Sequence, residues 1–191
     1  MTKYPEYAKV GEKQYKIDTD FKTAIKCQSV AQSNVRDEER ALAIIYLLFG
    51  DEGLNCPEDY NELLKKAMFF LGCGKEVSQD NSDPDMDFEQ DEAYIKASFY
   101  TDYGIPNIYE KNMHWWEFID LINGLKSDCV LNRVRELRNY DTSDIKDPKI
   151  LAQIRRQKEA VALKKNEPQM TEEQIKNYER FMEQIGMRWL Q

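Results

Sequence analysis

Apolar residues return at steps of three and four through most of this chain, the spacing of helices with one buried face. The N-terminus is the exception. Tyr4, Tyr7, Val10, Tyr15 and Ile17 favour strands there, and Val10-Gly11-Glu12-Lys13 carries the turn chemistry of a hairpin. A two-stranded unit of this size needs a surface to pack on. Thr19 or Asp20 can cap a first helix through Phe21, Ile25 and Val30, which Ser33-Asn34 breaks. The spacing predicts a second helix from about Arg36 to Phe49, apolar all round in its second half and therefore central, stopped by Gly50 and Gly53. Cys56-Pro57 opens a third, with Tyr60, Leu63, Leu64, Ala67, Met68 and Leu71 on one face up to Gly72. Gly74 to Pro84 carries no period and reads as a polar loop.

The stretch from Asp85 to Leu125 gathers the aromatic residues. Asp85 and Asp87 are placed to cap a helix that turns Phe88, Tyr94, Ile95 and Phe99 inward, and Tyr103-Gly104-Ile105-Pro106 stops it. Met113 begins a shorter helix whose Trp115, Phe118, Ile119, Ile122 and Leu125 form a broad apolar stripe. Ser127-Asp128 offers a cap for one more helix carrying Val130, Val134 and Leu137. Beyond Tyr140 a polar stretch leads to Asp147-Pro148, an N-cap followed by proline in the first turn, and to a helix with a thin apolar face of Ile150, Ile154 and Val161. Asn166-Glu167-Pro168 breaks that helix. Thr171 to Gln174 is a capping box, and the last helix sets Ile175, Tyr178, Met182, Ile185 and Trp189 on a strict a/d seam. The expected architecture is mainly α: a compact multi-helix domain with a small N-terminal hairpin over 1–140, and a C-terminal helical arm over 141–191.

Composition agrees with this pattern. The chain has 191 residues, 41% of them hydrophobic and 12% aromatic, enough for a sizeable core, while 8 Gly and 6 Pro leave little material for an all-β fold. A net charge of −8 sets the chain as a whole against non-specific nucleic-acid binding, because phosphate repels it. The acidic excess lies before Leu125, and the remainder is mildly basic. No apolar run spans a bilayer, the N-terminal MTKYPEYAKVG has no secretory character, and Cys27, Cys56, Cys73 and Cys129 show no CxxC spacing. Reduced thiols in a cytosolic protein are the expectation.

No catalytic motif emerges. Asp83 to Asp87 imitates the start of a calcium loop but has Phe88 where glycine is required and Tyr94 where the bidentate Glu belongs. His114 is the single histidine, at a helix start beside two tryptophans, and reads as a polar cap. No glycine run matches a phosphate-binding loop. Arg133, Arg135, Arg138, Arg155, Arg156 and Lys158 alternate with Glu136 and Glu159, which makes them a solvated or partner-facing surface rather than a nucleic-acid strip. The seam Ile175, Tyr178, Met182, Ile185 and Trp189 is the strongest candidate for partner binding, covered either by the body of the protein or by another chain. The expectation is therefore a protein without catalysis, metal or cofactor.

The acidic start Asp85/Asp87/Phe88, the helix end Ile95…Phe99-Tyr100…Tyr103-Gly104-Ile105 and the helix His114-Trp115-Trp116…Phe118…Leu121 resemble a family of small phage proteins. This is the bacteriophage gene-product-fifteen family, and Ala41-Leu42…Leu47 before Gly50 fits it as well. The likeness covers most of Ile17 to Tyr140. It implies a tail assembly chaperone of long-tailed phages, acting in the cytoplasm of the bacterial host and absent from the finished virion. Its implied partners are the tape-measure protein, which it would keep soluble, and the tail-tube subunits that replace it, with self-association through the last helix. The alternative is a structural virion component of the tail or connector.

Overall fold

The computed structural model describes residues 4–75, 84–164 and Arg180. Among the described residues, the small hairpin and the helices predicted as far as Val161 are present, and the protein is mainly α. Strands β1 (Tyr7–Val10) and β2 (Lys13–Lys16) pair antiparallel with Ala8 opposite Tyr15 and Val10 opposite Lys13. Alternation turns Ala8, Val10 and Tyr15 to one side, and the hairpin lies against α2 and α3, which supply the support so short a ribbon needs.

Helix α1 (Phe21–Gln32) starts at Asp20, whose carboxylate accepts the Lys22 N–H at 2.9 Å. Helix α2 (Asp37–Leu54) breaks at Gly50, where φ is +62° and ψ −157°. The predicted stop is real, but one further turn follows and buries Leu54. A short 3-10 turn, Pro57–Asp59, leads into α3 (Tyr60–Leu71). Helix α4 (Glu92–Tyr103) closes on Gly104 at φ +68°, and the N–H groups of Gly104 and Ile105 return to Tyr100 and Phe99 oxygens. Then come α5 (Trp115–Asn123), α6 (Val130–Asn139) and α7 (Pro148–Val161), the last capped by Asp147 as the Asp-Pro pair implies.

Two local expectations need correction. Helix α4 begins at Glu92, not near Asp85. Asp87 instead caps a preceding turn through the Glu89 and Gln90 N–H groups, and Asp85 pairs with Arg135 at 3.0 Å. Helix α6 is capped by the Cys129 sulfur rather than by Ser127 or Asp128, and it buries Leu131 and Val134 while Val130 is exposed. Helix α7 has no fully buried residue, and Ile150 of its thin apolar face is half exposed. The seam from Ile175 to Trp189 and most of the polar loop after Gly74 lie outside the described residues.

Phe118 on α5 occupies the middle of the core. It is fully buried, stacks on Phe21 of α1 at 4.3 Å between centroids and on Phe99 of α4 at 5.6 Å, and has Trp115 at 5.9 Å. Stacked and edge-on ring pairs each add to simple burial, so α1, α4 and α5 meet where apolar area is densest. The backbone reinforces this meeting. Phe21 N–H donates to Met113 O at 3.0 Å and Trp115 N–H to Thr19 O at 2.8 Å, tying the starts of α1 and α5 together.

A buried ion pair joins α6 to the turn before α4. The Arg138 guanidinium donates twice to the Asp91 carboxylate, both bonds at 2.7 Å, and Asp91 is fully buried. Arg138 also donates to Asp85 O at 2.8 Å and to Val161 O at 2.6 Å, which fixes the end of α7. Asp91 accepts the Asp87 N–H as well. Hydrogen bonding to Asp91 holds the Arg138 guanidinium above its already high value. Removing one partner strands the other charge, so Asp91→Ala is expected to cost ~3–5 kcal/mol in urea unfolding. The pair Asp91→Leu, Arg138→Met is expected to recover most of that loss. A cost under ~1 kcal/mol for the single change removes this ion pair from the account.

Candidate interaction surface

Chemistry is concentrated where α5 meets the end of α3. The last carbonyls of a helix lack partners within it. Here Trp115 Nε1–H donates to Leu71 O at 3.0 Å and Trp116 Nε1–H to Phe70 O at 2.8 Å. The two indoles diverge from there. Trp115 is buried against Phe118 and Phe88, whereas Trp116 is only partly covered. The apolar stripe of this helix therefore reads correctly, but its second tryptophan belongs to the surface as much as to the core.

His114 is held rather than poised. Its Nδ1 accepts the Trp116 N–H at 3.0 Å, so that nitrogen carries a lone pair. Its Nε2 lies 3.0 Å from the Pro5 carbonyl and must carry the proton it donates there. Tyr4 stacks on the ring at 4.9 Å and hydrogen-bonds Asp120 at 2.7 Å. With both ring nitrogens occupied, the imidazole serves as the helix cap that its position suggests. The Cys27 and Cys73 thiols are equally unsuited to nucleophilic work: burial pushes Cys27 up to about 12 and Cys73 up to about 11, far from the thiolate a nucleophile needs.

Outside this junction, Trp116 meets Phe69 edge-on at 6.2 Å. Gly74 passes beneath them, and a Cβ there would stand 3.0 Å from Trp116 Cη2 and 3.6 Å from Phe69 Cζ. Phe69 is 50% exposed and its neighbour Met68 38%. The inward positions of α3 are Leu63, Ala67 and Phe70, so Met68 does not lie on the buried face that its spacing predicts. The signal was present in the sequence: Met68, Phe69 and Phe70 are consecutive, and a helix cannot turn all three inward. Leu64, Met68 and Phe69, with Asn61, Glu62, Lys65, Lys66 and Lys75, line a shallow groove of about 870 Å³ along the outer side of α3.

Two other clusters have structural explanations. Cys56, Glu58 and Asp59 bring possible ligand atoms within 4.8 Å of one another. The Lys13 ammonium already lies among them, 2.9 Å from Glu58, 3.0 Å from Asp59 and 3.5 Å from Cys56, and Tyr15 donates to Asp59 at 2.6 Å. The group clasps the hairpin to the start of α3. A cleft of about 470 Å³ beside Arg138, lined by Met86, Gln90, Lys158 and Leu163, is spanned by the Gln90 amide, which pairs with Lys164 backbone through both of its polar atoms. Two of the three arginines of α6 are likewise engaged at home: Arg135 with Asp85, and Arg138 with Asp91.

Burial sets the mutational order at the junction. Trp115→Ala is expected to cost ~3–5 kcal/mol by denaturant unfolding, and Trp116→Ala clearly less. Equal costs contradict the assignment of one indole to the core and one to the surface. The hairpin clasp has its own signature in pH. Bonds from Tyr15 and Lys13 hold the Asp59 carboxyl below its ordinary value, so its contribution is present above ~4 and lost as pH falls through the lowered value. Asp59→Asn is expected to flatten the acid limb of the stability profile; an unchanged limb places the acid sensitivity elsewhere.

Comparison with known proteins gives one match. No curated protein and no solved structure matches the chain. Residues 4–163 match the family described as Bacteriophage Gp15 protein, a span that takes in the hairpin, the Trp-Trp junction and α7. The chain belongs to the bacteriophage Gp15 protein family.

Proposed function

We propose that this protein is a phage tail assembly chaperone that binds the tape-measure protein and keeps it soluble while the tail polymerises. Membership of the bacteriophage Gp15 protein family supports a role in phage particle structure or assembly. The chaperone reading is supported above all by the groove on α3, where Met68 and Phe69 are exposed beside the partly buried Leu64. A chaperone for a long helical client needs apolar faces whose contacts can be exchanged, carried on a body that stays in solution. The rigid aromatic core behind the groove provides such a platform. No described helix is long and apolar enough to cross a membrane.

The proposed action is non-catalytic. His114 is committed to capping and to Pro5, and the Cys27 and Cys73 thiols are held protonated. The protein would coat the tape measure in the host cytoplasm, self-associate along it and yield to tail-tube subunits. The seam Ile175, Tyr178, Met182, Ile185 and Trp189 remains the proposed self-association element. A permanent tail or connector component is the rival reading, favoured by the virion-related class of the family.

Co-expression with the tape-measure protein is expected to move that client into the soluble fraction and to give a complex that survives purification. A tape-measure protein that stays insoluble and leaves no co-purifying band overturns the chaperone reading.

A further inference from the structure

The groove on α3 is lined by three lysines and one glutamate. The chain carries −8 overall, with its acidic excess before Leu125, yet Lys65, Lys66 and Lys75 line this one groove. Glu62 neutralises Lys65 at 2.6 Å. Lys66 and Lys75 have no ion-pair partner among the described residues. The floor is apolar: Leu64 and Met68 are one helical turn apart, and Phe69 is backed by Trp116. Trp116 is in turn anchored on Phe70 O, so the aromatic wall is preorganised rather than assembled on binding.

The geometry points to a docking site for an amphipathic helix of a partner protein, its apolar stripe flanked by Glu or Asp. Such a helix would lay its stripe on Leu64, Met68 and Phe69 and its carboxylates beside Lys66 and Lys75. This occupant follows from charge complementarity: Lys66 and Lys75 attract an acidic flank beside the apolar floor, which sets register and direction. A nucleic acid is the weaker fit, because the lysines border aliphatic and aromatic surface and the net charge repels phosphate. The inference deepens the chaperone reading by naming the client's chemistry, and it rests on that reading for the client's identity.

The test uses the full chain and two labelled helical peptides with the same leucine stripe, one flanked by Glu and one by Lys. Fluorescence anisotropy is expected to show the Glu-flanked peptide binding at least tenfold tighter, with an advantage that shrinks as salt rises. Met68→Ser with Phe69→Ser is expected to abolish binding of both peptides. Lys65→Glu with Lys66→Glu and Lys75→Glu is expected to reverse the preference, and circular dichroism melts confirm that these surface variants fold. Several results overturn the proposal: no binding of the Glu-flanked peptide, binding unaltered by either variant, or displacement of the peptide by an equal concentration of single-stranded oligonucleotide. Binding that appears only after residues 76–83 are replaced by a Gly-Ser linker assigns the groove to this chain itself. A fall in particle mass of the Met68/Phe69 variant without any peptide binds it to a second copy. Either result also overturns the proposal. Tape-measure co-purification undiminished by both variants retains the chaperone reading and rejects the groove.

Discussion

Two indole N–H groups on the terminal carbonyls of α3 set the geometry on which the rest of the molecule depends. A helix end left inside a core with unpaired carbonyls is costly, and here the neighbouring helix supplies the donors. Once α5 is fixed to α3 in this way, Phe118 is placed to collect Phe21, Phe99 and Trp115 around it. The backbone bonds between Thr19–Phe21 and Met113–Trp115 then close α1 onto the same point. Apolar burial drives this assembly, and the directional bonds choose which arrangement of rings it adopts.

The same junction gives the surface its character. Trp115 faces the core, whereas Trp116 faces partly outward and stiffens Phe69. Partner-binding surfaces gain from aromatic groups that are already immobile, because less conformational freedom is lost on contact. The Asp91–Arg138 pair does a related service at the start of α4, where it holds α6, the turn at Asp85 and the end of α7 in one network. Such a pair contributes more to defining one arrangement than to net stability.

Much of the fold was legible in the pattern of apolar positions. Asp20, Gly50, Gly104, His114 and the Asp147-Pro148 pair mark helix ends through local chemistry, and each does so in the structure. What the pattern missed depends on distant partners. Asp91 is enclosed by Arg138, 47 positions on, a partner that local spacing does not announce. Asp85 could not be told from a cap because Arg135 lies 50 positions along the chain. Met68 fitted a helical face by spacing, and only the competition with Phe69 and Phe70 for inward positions puts it outside. For the interaction surface, the sequence pointed to the seam from Ile175 to Trp189, which lies outside the described residues. The groove on α3 was hidden because Lys75 joins Lys65 and Lys66 only when the chain turns at Gly74.

The central claim is that the protein assembles tails without remaining in them. Quantitative mass spectrometry of purified virions beside infected-cell lysate tests it most directly. The account predicts abundant protein in the lysate, in fractions that also hold the tape-measure protein, and none in finished particles. A fixed number of copies per virion would contradict it and identify a structural component instead.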